Sequence, residues 1–143
     1  MVPHNHSNQS AISCNCPMET CMGHIGKKWS VNILRDLFAG KKRFKDFMES
    51  NKNLSTKMLS ARLKELDKDG FIQKKVVSTT PLVAEYSLTD KGRALNKILY
   101  ELSAFSMAYC CEELGKMSPA QKEKALQEVK EMLGLGKYSI ATL

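Results

Sequence analysis

Residues 53–86 constrain the fold more than any other part of the chain, because they have the pattern of a capped helix followed by a hairpin. Ser55 is a suitable N-cap, and Gly70 follows the last apolar residue of the pattern, where helices commonly end. These two signals predict a helix over residues 56–69. Its buried stripe is formed by leucines at helical spacing, Leu59, Leu63 and Leu66.

The opposite face of this helix carries long cationic and small side chains, which suits a close approach to the major groove of DNA. Lys and Arg reach guanine acceptors or phosphates, Ser reaches either, and Ala leaves room for a thymine methyl. We therefore predict DNA contacts from the helix, its N-terminal residues and one preceding arginine. The predicted contact residues are Arg43, Ser55, Thr56, Lys57, Ser60, Ala61, Arg62 and Lys64.

Two runs rich in β-branched and aromatic residues follow Gly70 and predict a β-hairpin. They cover residues 71–77 and 84–88 and flank a turn-prone insert at 78–81. Lys74 and Lys75 in the first run extend the predicted DNA contacts. The hairpin would form the wing of a winged helix-turn-helix.

The positive charge of the chain is concentrated around this unit. The net charge is +7, and residues 41–75 alone contain eleven basic and five acidic residues, a net charge of +6. A basic excess confined to one stretch is typical of proteins that bind the phosphate backbone. The alternative is a solvated surface with chance clustering.

The bulk properties suit one small domain. The hydrophobic fraction of 43% and the charged fraction of 26% are ordinary for a globular protein. No apolar run approaches the roughly 18 residues that a membrane span needs, and the N-terminus lacks a signal-peptide pattern. We expect a cytoplasmic protein without membrane contact and with a flexible tail at residues 1–13, whose histidines are not expected to bind metal.

Further helices are predicted before the central stretch. Pro17 suits a first helical position and Gly26 suits a stop, which indicates a short helix, and residues 31–38 read as a core helix. A short helix beginning near Arg43 completes a helix-turn-helix over residues 43–69, with its turn at 51–54.

A long amphipathic helix is predicted from Thr89, its N-cap, to about residue 114. Its apolar face predicts a dimer interface through Leu95, Ile98, Leu99, Leu102, Phe105 and Tyr109. The alternative is that this face packs only on its own domain. Residues 115–143 form a C-terminal helical extension, which either extends the interface or sits loosely against it.

Seven short strings in this order resemble the HxlR-type family of winged helix-turn-helix transcription regulators, relatives of the MarR regulators. The resemblance spans residues 14–112 of the domain 14–114. The strings are Cys16-Pro17-Met18-Glu19, Ile25-Gly26-Lys27-Lys28-Trp29, Ile33 to Leu37, Arg43 to Phe47, Ser55 to Leu66, Asp69 to Ile72 and Glu85 to Gly92.

The resemblance implies a mainly α fold with a small β-hairpin wing (α+β), flanked by N- and C-terminal dimerisation helices. It implies a homodimer whose two recognition helices enter successive major grooves of a pseudo-palindromic operator, about one helical turn apart. Repression is expected because blocking a promoter needs only occupancy. One departure is Val83, where the family commonly has Arg or Lys; with Leu82 also apolar, Lys74, Lys75 and the wing backbone are left to meet phosphates.

The cysteines form two groups, Cys14/Cys16/Cys21 and Cys110/Cys111. Cys16 precedes Pro17 at a helix N-terminus, where the helix dipole favours thiolate and raises reactivity toward oxidants and electrophiles. Several members of the family sense oxidants through the cysteine at this position, so the resemblance implies a switch at Cys16, with Cys110 or Cys111 of a second copy as partner. The alternative is that the cysteines are small buried apolar residues.

Other classes of function fit the sequence less well. No metal site is predicted, since no C-x-x-C pair supports zinc, and no cofactor is expected. An enzyme is not expected, because a Gly-rich phosphate loop and a nucleophile–base constellation are lacking. The runner-up is a winged-helix adaptor that binds protein without reading bases. A small-molecule or oxidant effector remains open.

Overall fold

The computed structural model describes residues 16–110 and 116–135 and shows a mainly helical domain with one β-hairpin. Cys14, Cys111 and the tail at 1–13 lie outside the described residues. The elements in chain order are α1 (Pro17–Ile25), α2 (Ser30–Phe38), α3 (Phe44–Ser50), α4 (Thr56–Lys68), β1 (Ile72–Thr79), β2 (Leu82–Leu88), α5 (Asp90–Arg93), α6 (Asn96–Phe105), a π-helical turn (Ser106–Cys110) and α7 (Pro119–Met132).

The predicted helix signals are confirmed. Pro17 is the first residue of α1 and Gly26 caps its C-terminus. The Ser55 hydroxyl accepts a hydrogen bond from the Met58 backbone N–H at 3.1 Å, so it satisfies one donor of the first turn of α4. Gly70 has a φ of +77°, the left-handed conformation that glycine supplies after a helix.

The core lies where α2, α3 and α4 meet the hairpin. The leucine stripe of α4 is buried as predicted, with Leu59, Leu63 and Leu66 all at most 2% exposed. Phe47 of α3 is fully buried beside them, and Trp29 packs against this cluster from the start of α2. Burial of this stripe fixes which face of α4 remains at the surface.

The wing is an antiparallel hairpin whose second strand is attached to the residues just before α3. Its register runs from Ile72 opposite Leu88 to Thr79 opposite Leu82, so the turn is shorter than the predicted insert at 78–81. A bulge between Val76 and Ser78 absorbs one extra residue and lets pairing continue toward the tip. The backbone N–H of Tyr86 donates to the Lys42 carbonyl at 2.8 Å, which holds the wing beside the helix-turn-helix.

The prediction of one long helix from Thr89 is wrong near its start. Thr89 does cap a helix, by accepting from the Gly92 N–H at 3.1 Å, but α5 ends at Arg93 and α6 begins at Asn96. The Leu95 N–H donates to the Gly92 carbonyl at 3.2 Å, three residues back, so this turn is tighter than an α-helical turn. The Asn96 side chain accepts from the Lys97 N–H at 2.8 Å, and such local bonds compete with helical ones.

Packing at Gly92 explains why α5 is held apart from α6. A Cβ at Gly92 would lie 2.0 Å from the Phe71 carbonyl oxygen, so α5 approaches the start of β1 as closely as backbone allows. The α5 segment therefore packs against the start of the wing, whereas α6 packs against the core. Residues 111–114 of the predicted helix lie outside the described residues.

The C-terminal extension is folded onto the domain. The Ser118 hydroxyl accepts from the Gln121 N–H at 3.3 Å and the Gln121 side chain accepts from the Ser118 N–H at 2.8 Å, a reciprocal cap that starts α7. Leu133 is 1% exposed and belongs to the core, and Val129 and Met132 pack against it. In the parts of the chain that the structure describes, every helix is too short or too polar to span a bilayer.

Candidate nucleic-acid interface

The side of α4 opposite the leucine stripe lies at the protein surface. We call this surface, made of Thr56, Lys57, Ser60, Ala61 and Lys64, the groove face; all of its residues are exposed. Ser55 is exposed at the N-terminus of the helix, where its hydroxyl is also the cap. The side chains of the groove face are small or flexible, so nothing on it obstructs a close approach of the helix to DNA.

Several cations of the chain are engaged in ion pairs, whereas the lysines near the groove face have no anionic partner among the described residues. Lys27 pairs with Glu65 at 3.3 Å and Lys45 pairs with Glu49 at 3.5 Å. Within residues 16–110 and 116–135, by contrast, no ion pair is made by the exposed amines of Lys57, Lys64, Lys68, Lys74 and Lys75. These amines are therefore available to phosphate oxygens without first breaking an internal pair.

A surface depression of about 400 Å³ brings the groove face and the wing together. Ser60 and Lys64 of α4 and Lys74 of β1 line it. Lys75 lies opposite Glu85 in the ladder, and neighbouring residues of a strand point to opposite faces. The two predicted lysines of the wing are thus separated, and Lys74 is the one that shares the depression with α4.

Tyr86 forms the floor of this depression and links it to the core. It lies opposite Lys74 in the ladder, and its ring meets Phe47 edge-on at 6.2 Å between centroids. Burial raises the pKa of the Tyr86 hydroxyl, and the carboxylate of Asp67 adds to the effect. The hydroxyl therefore remains a neutral donor at physiological pH.

Arg43 lies at the junction of α3 and the wing. Its guanidinium donates to Glu85 Oε1 from Nε at 3.3 Å and from Nη2 at 3.2 Å, and its backbone pairs with Glu85 in an isolated bridge. The side chain remains 59% exposed. Arg43 is thus at the surface as predicted, but part of its charge holds the wing against the helix-turn-helix.

Arg62, a predicted DNA contact, is turned toward the body of the protein. Its Nε donates to the Lys28 carbonyl at 2.9 Å, its Nη1 pairs with Glu65, and its side chain is only 15% exposed. The position of Arg62 at the edge of the leucine stripe explains this difference. A long side chain at that edge reaches the connection between α1 and α2, which the sequence pattern does not reveal.

The outer half of the wing carries exposed apolar side chains. Leu82 is 71% exposed, and Val76 and Val77 are 49% and 45% exposed. The expected absence of a cation at the tip of the wing follows from the sequence itself, since Val83 stands beside Leu82.

The predicted dimerisation residues divide into two sets. Leu95 and Leu99 are each 5% exposed and belong to the protein's own core, so the prediction that they face a partner is wrong. The remaining residues are exposed on α6 and the π-helical turn, at 41% for Ile98, 49% for Leu102, 58% for Phe105 and 79% for Tyr109.

A second apolar surface is exposed on α1, where Met18 and Met22 are 75% and 57% exposed. On the C-terminal surface the rings of Phe105 and Tyr109 lie 5.2 Å apart and form one continuous patch. Exposed apolar side chains grouped in this way mark interaction sites more often than scattered ones do.

The cysteines that the structure describes differ in accessibility. Cys16 is exposed and is the N-cap residue of α1, and Cys110 is exposed at the end of the π-helical turn. Cys21 is half-buried and packs against the core. Cys111, the third predicted switch residue, lies outside the described residues. Among residues 16–110 and 116–135, no three His, Cys, Asp or Glu side chains are grouped as a metal site would require.

A buried polar network under the helix-turn-helix was missed by the sequence reasoning. Asp36 of α2 is 1% exposed and accepts hydrogen bonds from Arg35 Nη2 at 2.9 Å, Lys41 at 3.4 Å and Asn51 at 2.8 Å. The same Asn51 amide donates to the Phe47 carbonyl at 2.8 Å. The network therefore ties α2 to the turn before α4, and its sequence signal is a carboxylate on the apolar side of a core helix.

Comparison with known proteins shows that most of the chain matches a known family. The model of the family described as HxlR-like helix-turn-helix matches residues 24–114. The transcriptional regulator YodB of Bacillus subtilis is 38% identical over 105 residues, which cover 68% of this chain and 94% of YodB. An uncharacterised transcriptional regulator of the same organism, YdeP, is 36% identical over 107 residues, or 75% of this chain and 83% of YdeP.

Solved structures of similar proteins share the fold. The redox regulator HypR in its reduced form superposes with a TM-score of 0.62 at 32% identity, over 65% of this chain and 92% of HypR. The reduced form of YodB gives a TM-score of 0.57 at 33% identity, over 68% of this chain and 96% of YodB. Both agree with the prediction of a winged helix-turn-helix.

Proposed function

The chain belongs to the HxlR-like helix-turn-helix family of DNA-binding transcription regulators, and on that premise we propose that it is a homodimeric, sequence-specific repressor. The observation that carries the proposal is the set of exposed, unpaired lysines on α4 and the wing, together with a groove face free of bulky side chains. Such a surface combines attraction to phosphates with room for base contacts.

In this proposal α4 lies in the major groove and the wing flanks it. Ser60 and Ala61 meet base edges, because they are the small residues at the centre of the groove face. Lys57 and Lys64 reach guanine acceptors or phosphates on either side of them. Lys74 meets the backbone beside Lys64, since both line the same depression.

A second copy of the chain completes the DNA-binding unit. Phe105 and Tyr109 form the centre of the apolar patch on the C-terminal helices, and Met18 and Met22 supply the patch on α1. Burial of both patches would form the homodimer, and binding of a two-fold dimer to a pseudo-palindromic operator would require its two α4 helices to lie about 34–36 Å apart, one turn of DNA.

Thiol chemistry at Cys16 would control operator binding. Cys16 is exposed at the N-terminus of α1, beside the residues proposed to meet the partner. A two-electron oxidant such as diamide takes two electrons and two protons as the thiols of Cys16 and of Cys110 or Cys111 in the second copy form a disulfide. An electrophile would instead add to the Cys16 thiolate.

Two similar proteins motivate the proposed thiol switch. HypR is named a redox regulator and has been solved in an oxidised form. YodB has been solved after diamide treatment and with quinone bound. These descriptions concern HypR and YodB. For this chain the thiol switch is a hypothesis that rests on the exposure of Cys16 and its position before α1.

The test is a binding titration on DNA from upstream of the protein's own gene, with reduced and with diamide-oxidised protein, and non-reducing gels of the same samples. We expect tight binding by the reduced protein, release on oxidation, and a crosslinked dimer that is lost in Cys16→Ser. Cys21→Ser is the matched control, because that cysteine is half-buried and should leave the crosslink unchanged.

Tight operator binding that is unchanged by oxidation would refute the thiol switch but would still support a DNA-binding regulator. Failure of both reduced and oxidised protein to bind any upstream fragment, at low as well as moderate salt, would refute sequence-specific repression of its own promoter. That result would favour the alternative of a winged-helix adaptor that binds protein.

A further inference from the structure

A cavity of about 350 Å³ lies between α2, α6 with its π-helical turn, and α7. Its walls are mostly apolar and include Val31 of α2, Leu99 of α6, Met107 of the π-helical turn, and Val129 and Met132 of α7. Small-molecule sites are commonly concave, largely apolar and of about this size. The α7 residues lie beyond residues 24–114, the region that matches the family model, so this cavity depends on the C-terminal extension.

The polar residues in the lining of the cavity are few, and only one of them is charged. Arg35 is the charged residue in its lining, and Ser103 and Ser106 carry hydroxyls there. The Ser103 hydroxyl already donates to the Leu99 carbonyl at 2.9 Å. A single cation in an apolar wall suits a ligand with one negative charge and an apolar body, whereas a dianion such as phosphate would leave one charge unpaired in the cavity.

Arg35 has hydrogen-bonding capacity left for such a ligand. Its Nε and Nη2 donate to Asp36 Oδ1 at 3.2 Å and 2.9 Å, and Nη2 also donates to Asn51 Oδ1 at 3.5 Å. A guanidinium carries five donors, and these bonds leave those on Nη1 for another acceptor. The Arg35 side chain is 46% exposed, so its guanidinium can move toward a ligand while α2 stays in place.

We propose that this cavity is an effector site for an apolar monocarboxylate, whose carboxylate binds Arg35 and whose apolar body fills the space between α2, α6 and α7. The Ser106 hydroxyl is a second donor in the same lining. A ligand with a chain or ring of moderate size would bury its apolar surface against Met107, Val129 and Met132.

The site is connected to the DNA-binding helix through the buried network. Arg35 binds Asp36, Asp36 accepts from Asn51 at 2.8 Å, and Asn51 lies in the turn that sets the direction of α4. A ligand carboxylate first meets the free Nη1 donors, and pairing with both Nη1 and Nη2 draws the guanidinium away from Asp36 Oδ1 and from Asn51 Oδ1, which accepts from Nη2 at 3.5 Å. Loss of the direct bond from Arg35 to Asn51 loosens the turn and lowers operator affinity.

The regulatory consequence rests on the proposed function, whereas ligand binding itself does not. The probe is octanoate, with the neutral and nearly isosteric octanamide as its matched control, titrated calorimetrically into the full chain. We expect octanoate to bind and octanamide to bind about tenfold more weakly or worse, which corresponds to the loss of one charge-assisted bond.

Two variants separate the carboxylate contact from the apolar cavity. Arg35→Gln should weaken octanoate about tenfold and leave octanamide unchanged, whereas Ser103→Leu, which fills the cavity and keeps Arg35, should weaken both. Lys97→Gln is the control, since Lys97 is an exposed cation of α6 outside the lining. If Arg35→Gln fails to fold, Ser103→Leu and the octanoate–octanamide comparison still decide the question.

Failure of octanoate to bind, or equal binding of octanoate and octanamide, would overturn the site. For the coupling, saturating octanoate should lower operator affinity, and operator DNA should lower octanoate affinity by the same factor, because linkage is reciprocal. Octanoate binding with unchanged operator affinity would overturn the coupling. Octanoate binding to a chain that binds no DNA would support the site and refute the proposed function.

Discussion

The lysines of α4 and the wing should set the salt dependence of operator binding. Each phosphate that a protein neutralises contributes about 0.9 to the slope of log Kobs against log salt concentration. If Lys57, Lys64, Lys68, Lys74 and Lys75 each meet one phosphate, the slope is about −4.5 per protomer and about −9 for a dimer. Lys64→Ala removes two of these contacts from the dimer, so the slope should become shallower by about 2.

Lys64→Ala should also lower the affinity for the operator. The ammonium of Lys64 has no ion pair within the described residues, so its removal leaves no unpaired carboxylate and should not disturb the fold. At about 0.1 M salt we expect a loss of operator affinity of roughly tenfold to a hundredfold.

The assay is fluorescence anisotropy of labelled operator, repeated at several salt concentrations between low and physiological. Lys124→Ala is the matched control, because Lys124 is an exposed lysine on α7, away from the groove face. A slope for Lys64→Ala that equals those of the wild type and of Lys124→Ala would refute the placement of Lys64 at the DNA backbone.

Three further predictions concern stability and assembly. Asp36→Ala should lower the free energy of unfolding, measured in urea, by about 2–4 kcal/mol, because the buried Asn51 amide loses an acceptor while the half-exposed cations regain water; a loss below about 1 kcal/mol would contradict this. Asp46→Ala removes the carboxylate that caps α3 by accepting from the Lys42 and Arg43 N–H groups at 3.1 and 2.9 Å, and should cost about 1 kcal/mol at pH 7. These N–H groups lower the pKa of Asp46, so its contribution is present above about pH 4 and is lost as the pH falls further; a difference between variant and wild type that persists at pH 2 would refute this cause. Phe105→Asp should convert the dimer to monomer in analytical ultracentrifugation, since it places a charge in the apolar patch, and an unchanged dimer would exclude this patch as the interface.

The sequence predicted the helix-turn-helix well because its signals are local. Ser55 and Gly70 bound α4 through capping and backbone conformation, and the leucines repeat at the helical period. Once that stripe is buried, the exposure of Lys57 and Lys64 on the other side follows from helix geometry alone.

What the sequence did not reveal depends on contacts between distant segments. Arg62 is held by a carbonyl 34 residues away, and the close approach of Gly92 to Phe71 separates α5 from α6. Leu95 and Leu99 belong to the protein's own core. Periodicity shows that a face is apolar, but it does not show whether the chain or a partner covers it.

Hydroxyl-radical footprinting of the upstream DNA would show whether α4 and the wing of two protomers bind an operator together. We expect protection in two patches about one helical turn apart, with symmetrical half-sites, and protection that weakens as salt is raised. Absence of protection at any salt concentration, or a single unpaired patch, would contradict it.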